Sequence, residues 1–221
     1  MPLMPEFEPQ LLAMIDNVFP ESLSHGKFHV FRVVTTCKKI AAELEQDEGM
    51  SIDMDVVLAA AYLHDLGRLD SIQPYSSEIP DPELPHAERS IAFARDILER
   101  MQEYYPAEKI PFVESTILAH SFSAGEEPAT IEAMILSDAD KLDAMGAQGI
   151  IRTIAYSVEQ HRTLESTLEH FTKKIVNLHG LLKTEPAKAM GAEKQALLEQ
   201  FTAELAQDLR DTPRLESTSS R

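Results

Sequence analysis

The unbroken apolar run Val56-Val57-Leu58-Ala59-Ala60-Ala61-Tyr62-Leu63 reads as a hydrophobic helix. It ends on an adjacent imidazole and carboxylate, His64 and Asp65, and Gly67 then stops it. Two ionisable groups at the end of such a helix are costly unless something pairs with them. A divalent cation is such a partner, because neutral imidazole and carboxylate both donate lone pairs to it. Other donors of the same kind fall at helix-compatible places: His29, His86, His120 and Asp140. An isolated His-Asp doublet also arises by chance, and a histidine capping a helix C-terminus is the bland alternative. The flanking sequences decide between the two.

The periodicity of the rest is helical. Leu12, Ile15 and Phe19 mark a first amphipathic helix from Pro9 to Phe19. A second runs from about His25 to Glu45 on the stripe Phe28, Phe31, Val34, Cys37, Ile40, Ala41 and Leu44, which leaves His29 at the edge of the core. Ser51 or Asp53 can cap the helix that leads to the doublet. The long segment Arg68 to Leu84, with three prolines, has the length of a lid or binding loop. Pro85 then opens a helix with His86 in its first turn and Ile91, Ala94, Leu98 and Met101 on one face. The next starts at Pro106 or Pro111 and closes on His120, followed by a loop over Ser121 to Pro128. Thr130 to Met145 is helical and carries Ser137-Asp138-Ala139-Asp140-Lys141-Leu142-Asp143, and Gly146 and Gly149 loosen the chain before Ile150 to Val158. The last third gives two long amphipathic helices, on Leu164, Leu168, Phe171, Ile175, Leu178 and on Leu197, Phe201, Leu205, Leu209. No segment alternates like a strand, so the expected fold is all-α.

Charge narrows the function classes. Lys and Arg total 20 against 37 Asp and Glu, a formal charge of −17, with no basic cluster longer than a pair. Binding to a nucleic-acid polymer or an anionic membrane is disfavoured; a small anionic substrate held by a few local cations is not. The single cysteine, Cys37, allows no intrachain disulfide, and the N-terminus lacks the regions of a signal peptide. A soluble cytoplasmic protein is expected, with a homodimer permitted.

From His25 to about Tyr156 the chain resembles the HD superfamily of metal-dependent phosphohydrolases. His29-Val30-Phe31-Arg32-Val33, Leu63-His64-Asp65-Leu66-Gly67-Arg68 and Asp138-Ala139-Asp140-Lys141-Leu142-Asp143-Ala144 are similar to its three motifs, in order. The resemblance implies an HD-domain helical bundle with additional C-terminal helices. It divides the chain into a lead-in with one helix (1–24), a metal-binding catalytic domain (25–160), C-terminal helices packed on it (161–210) and a disordered tail (211–221). It implies His29, His64, Asp65 and Asp140 as ligands of one divalent ion (Mn, Mg, Ni, Co, Fe or Zn). His86 and His120 would hold a second ion, with Asp65 bridging, or contact substrate phosphate. Asp65, His86, His120, Arg68 and Lys141 would carry catalysis, Arg68 and Lys141 by offsetting phosphate charge. The implied reaction is hydrolysis of a small phosphorylated metabolite, a nucleotide by preference, through metal-activated water. The rival readings are a di-iron oxygenase on the same ligand set and a non-catalytic metal-dependent regulatory protein. His25 is either a neighbour of the site or a loop residue, Arg32 either a phosphate contact or an internal ion pair, and Asp138 and Asp143 either orient ligands or cap helices. His161, His170 and His179 are expected to be solvated or structural.

Overall fold

The computed structural model describes residues 6–120 and 127–212. The expected loop after His120 falls largely on residues 121–126, and the expected tail on 213–221, both outside the described residues. Helices and short 3-10 turns account for all the regular structure among the described residues. The α-helices are α1 (Phe7–Val18), α2 (Lys27–Glu48), α3 (Met54–Leu63), α4 (His86–Arg100), α5 (Ile110–His120), α6 (Ile131–Asp143), α7 (Gly146–Glu159), α8 (Leu164–Lys173) and α9 (Glu185–Asp211). None is long and apolar enough to cross a membrane.

Helix α3 is the axis. Asp53 caps its N-terminus by accepting from the backbone N–H groups of Asp55 and Val56. Val56, Val57, Ala59, Ala60, Ala61 and Leu63 are all buried, which is why this helix has no polar face. It packs against α2 and α5, while α6 lies across α2, α3 and α5. The helix proper stops at Leu63, and a 3-10 turn, Leu66–Arg68, carries the chain past the doublet. Gly67 is required there because α4 starts against it: a Cβ would lie 2.0 Å from His86 O and 2.6 Å from Ser90 N. The Ser90 hydroxyl accepts from the Gly67 N–H at 2.8 Å, fixing the start of α4 to the doublet turn.

Several stripes differ from the expected ones. In α1 the buried set is Phe7, Leu11, Met14 and Ile15, and Leu12 is 48% exposed; the apolar spacing fits either face, and the core selects the one carrying both aromatic and aliphatic bulk. In α2 Phe28 is 52% exposed, and the inward face is Val30, Val33, Val34, Cys37 and Ile40. That rotation brings His29 from the edge of the core to full burial, on the face it shares with Val33 four residues on. The Arg68 to Leu84 segment is pinned rather than free. Ile72 and Ser76 are buried, Asp96 accepts from the Ser76 hydroxyl and the Ser77 N–H, and Arg100 donates to the Ser77 hydroxyl. Gly146 does not loosen the chain; its φ of 65° makes the tight turn that starts α7, and Gly149 lies inside that helix.

The last third contains one long helix, not two. Helix α8 breaks at Lys174 into 3-10 turns, and only α9 is extended. The buried face of α9 is Ala187, Gly191, Leu198 and Thr202, whereas Leu197 is exposed. Small residues on that face let α9 lie close to α6, α7 and α8. Asp138, fully buried in α6, holds the start of α9: its carboxylate accepts from the N–H of Lys183 at 2.9 Å and from the N–H and hydroxyl of Thr184, each at 2.8 Å. Asp138 therefore anchors a helix start and orients no ligand.

Candidate metal centre

Five helices converge on the doublet. His64 and Asp65 come from the end of α3, His86 from the start of α4, His120 from the end of α5 and Asp140 from α6, with His29 from the first turn of α2. His29 Nε2 lies 3.2 Å from His64 Nε2, 3.5 Å from Asp65 Oδ2 and 3.5 Å from Asp140 Oδ1. His64 Nε2 is 3.9 Å from Asp65 Oδ2. Donor atoms of His29, His64 and Asp140 all lie within 4.8 Å of one another, as do those of His64, Asp65 and His120.

The hydrogen bonds on the far side of each ring decide what this cluster can hold. His64 Nδ1–H donates to the Ala61 carbonyl at 2.8 Å, His120 Nδ1–H to the Ile117 carbonyl, and His29 Nδ1–H to Asp143 Oδ2 at 2.8 Å. Each acceptor is an oxygen, so each Nδ1 carries the proton and each neutral ring keeps its lone pair on Nε2. Lone pairs of His29 and His64 thus face each other at 3.2 Å beside two carboxylates. Such a contact requires a cation in between, a proton or a metal. Bonds of about 2.0–2.2 Å to one ion set neighbouring donors roughly 3.0–3.5 Å apart, which matches the separations around His29 Nε2. The residues fit a divalent ion.

The charges of the site follow from its burial. Burial keeps His64 neutral, its pKa pushed down to about 3. Burial and then Arg68 push His86 down to about 4, and burial likewise lowers His120. Burial opposes the Asp65 carboxylate, but the Arg68 guanidinium and His64 override it and hold the acid well below the usual range. For Asp140, burial is overcome by His29, His64 and His120, giving about 2. His29 goes the other way. Burial and Arg152 disfavour its charge, yet Asp143, Asp65 and Asp140 together raise its pKa, which favours a proton in the place it shares with His64.

Asp65 has two differently occupied oxygens. Oδ2 faces His29 and also His25, whose Nδ1 is 3.5 Å away. Oδ1 accepts from Arg68 Nε at 2.7 Å and lies 3.7 Å from His86 Nε2. The rings of His86 and His120 stand 5.5 Å apart, and those of His64 and His120 5.0 Å apart. One carboxylate therefore looks at both halves of the cluster.

A cavity of about 330 Å³ opens onto these residues, walled by His25, Arg68, His86, His120, Asp140, Lys141, Arg152, Tyr156, His170, Lys174 and others. Lys141 donates to the carbonyl and hydroxyl of Ser137, one turn back on α6. Of the Arg68 to Leu84 segment only Arg68 reaches this wall, which is otherwise completed by α7 and the α8 region. A larger groove of about 620 Å³ between α8 and the end of α9 contains neither donor cluster, so the chemistry belongs to the smaller cavity.

Arg32 forms an internal ion pair, with Nε donating to Asp143 Oδ1 at 2.6 Å. His25 belongs to the site rather than to a remote loop, and His170 lines the cavity, whereas His179 accepts no such place and contacts the Lys188 carbonyl. Arg152 was not legible as a site residue. The signal available was an arginine inside the otherwise apolar Ile150-Ile151-Arg152-Thr153-Ile154, where a buried cation demands a buried acid.

The family model described as the HD domain matches residues 28–145, more than half of the chain, and the chain belongs to that family. It is 29% identical over 202 residues to an uncharacterized protein of Bacillus subtilis, YpgQ, spanning 86% of each chain. The crystal structure of Bacillus subtilis YpgQ in complex with ADP superposes with a TM-score of 0.65 at 22% identity, covering 92% of this chain and 98% of that one. The crystal structure of an HD-superfamily hydrolase from Bacillus thuringiensis gives a TM-score of 0.65 at 24% identity, covering 94% and 98%. These structures share the fold.

Proposed function

We propose that this chain is a metal-dependent phosphohydrolase acting on a small phosphorylated metabolite, a nucleotide by preference. The observation that carries the reading is the set of three buried histidines with Nδ1 committed outward and Nε2 turned onto two carboxylates. His29, His64, Asp65 and Asp140 would hold the first divalent ion. His86 and His120, with Asp65, would hold a second more weakly, because Arg68 already pairs with that carboxylate. A divalent ion in such a cluster supplies Lewis acidity and makes water acidic enough to ionise near neutral pH.

The protein's own groups do the rest. Arg68 and Lys141 flank the cluster on the cavity wall and offset the charge of a bound phosphate. Hydrogen bonds from His64 and His120 to backbone carbonyls keep both rings aimed without relying on mobile side chains. The ADP complex of Bacillus subtilis YpgQ supports a nucleotide, as does a cavity whose cations stand out in a chain of charge −17.

A phosphate-release screen over nucleotides and sugar phosphates, repeated with Mn, Mg, Ni, Co, Fe and Zn, tests the reading. Release that depends on metal and is lost in Asp65→Ala is expected. Metal binding without turnover on any phosphate would establish a regulatory protein instead, and oxygen uptake by the iron form an oxygenase.

A further inference from the structure

We infer that Arg152 is a positioning residue for the donor cluster, acting through Asp143 on His29 and directly on the turn that carries His25. The inference rests on the metal-binding reading above for its functional consequence, but its geometry does not. Arg152 lies on α7, eight per cent exposed, and spends its whole guanidinium inside the protein. Nη1–H donates to Asp143 Oδ2 at 2.8 Å, Nε–H to the Ser24 carbonyl at 2.8 Å, and Nη2 lies 3.4 Å from His25 Nδ1. One planar group thereby ties together three pieces of chain: α7, the end of α6 and the turn before α2.

Asp143 is the other half of the device. Its Oδ2 accepts from His29 Nδ1–H at 2.8 Å, beside the Arg152 bond, and from Arg32 Nη2 at 3.1 Å, while Oδ1 accepts from Arg32 Nε at 2.6 Å. The carboxylate is thus gripped from both sides, and the His29 ring is held by it. If Asp143 swung away, His29 could rotate or exchange its tautomer, and the Nε2 lone pair would leave the place it shares with His64 and Asp140. Arg32 grips the same acid with two bonds, but its side chain is 34% exposed against 9% for Arg152, so water screens that pair more.

Arg152 does more than neutralise a buried acid. A neutraliser needs only charge, which lysine supplies equally; three simultaneous contacts in one plane need the guanidinium fork. The same fork sets where Ser24 and His25 stand on the cavity wall, so a single residue aligns a metal donor and a substrate-facing residue.

The test compares wild type with Arg152→Lys, Arg152→Gln, Asp143→Asn and the control Arg32→Gln. Metal affinity is read by calorimetric titration of metal-free protein with Mn, and the His29 tautomer by long-range 1H–15N spectra of the metal-free form at alkaline pH. Thermal melting reads folding. For Arg152→Lys the expectation is a folded protein whose Mn affinity falls about tenfold or more, on the scale found when a partner of a metal-bound histidine is removed. Its His29 signal should also shift from a single Nδ1–H tautomer toward a mixture. Asp143→Asn should move both readouts the same way, and Arg32→Gln less. Wild-type affinity and tautomer in a destabilised Arg152→Lys would overturn the inference and leave Arg152 a structural cation. Should the Arg152 variants not fold, an unchanged His29 tautomer and affinity in Asp143→Asn overturns it equally. Were wild type to bind no metal, the phosphohydrolase reading would fall, while the tautomer comparison would still decide the role of Arg152.

Discussion

One residue separates Asp138 from Asp140 in sequence, yet one carboxylate meets the start of α9 and the other faces His29, and replacing Asp138 tests the difference. The Asp138 carboxylate is fully buried and accepts from the Lys183 and Thr184 N–H groups and the Thr184 hydroxyl. Thr184 is itself buried and is the N-cap of α9, its hydroxyl accepting from Ala187 N–H. Asp138→Ala removes three well-formed charge-assisted bonds and strands the Thr184 N–H away from water. With about 1.5–3 kcal/mol per bond to a charged group, and non-additivity within one network, the loss should be roughly 3–5 kcal/mol. At about 2–4 °C per kcal/mol for a chain of this size, melting should fall by roughly 10 °C. Asp138→Asn keeps one accepting oxygen and should lose about half as much, which guards against an alanine variant that does not fold. The assay is thermal unfolding followed by far-ultraviolet dichroism, paired with metal analysis at low temperature. The folded Asn variant should bind as much metal as wild type. A melting temperature within a degree or two of wild type, or loss of metal without loss of stability, would refute the assignment of Asp138 as an anchor.

Metal affinity should fall with acid. The metal-free His29 has a raised pKa, so it takes a proton at a pH above the ordinary value of about 6.5, and an ion must displace that proton. Titrations with Mn should therefore show up to about tenfold weaker binding per pH unit below that point, and constant affinity from pH 8 to 5.5 would count against His29 as a donor. Arg68→Ala should tighten the second equivalent of metal by freeing Asp65 Oδ1, while lowering kcat/KM for phosphate release; a weaker second equivalent would show that Arg68 does not compete there. Gly67→Ala should destabilise the chain and blunt phosphate release, because its Cβ would meet His86 O at 2.0 Å; a variant with wild-type melting would contradict the close approach of α4 to the doublet turn.

What the sequence revealed of this site was what lies at helix ends. His64, Asp65, His86 and His120 sit where a helical pattern starts or stops, so their convergence followed from periodicity and short connections. For His29 the sequence pattern points to the right helix but the wrong depth, because a stripe through Phe28 and Phe31 leaves it at the edge, whereas Phe28 is exposed and His29 buried. The residues that went unread act at long range. Arg152 meets Ser24 and His25 across 128 and 127 positions, and no local pattern records such a contact. His170 lines the cavity from within α8, and the residues after the break at Lys174 line it too, whereas the apolar period alone suggests one uninterrupted helix there. Asp138 lies nearly opposite Asp140 on α6 and meets the start of α9, while Asp143, about one turn beyond Asp140, holds His29, and only the tertiary partners distinguish the three.

Titrating metal-free wild type and Asp65→Ala with Mn, each checked for helical content, decides whether the doublet and its converging partners bind a divalent ion that phosphate hydrolysis requires. Wild type should bind saturably, a tight equivalent followed by a weaker one, with metal-dependent phosphate release. Asp65→Ala should keep its helices and lose both the tight binding and the release. An Asp65→Ala protein that loads metal as fully as wild type would show that the doublet is not the metal's holder.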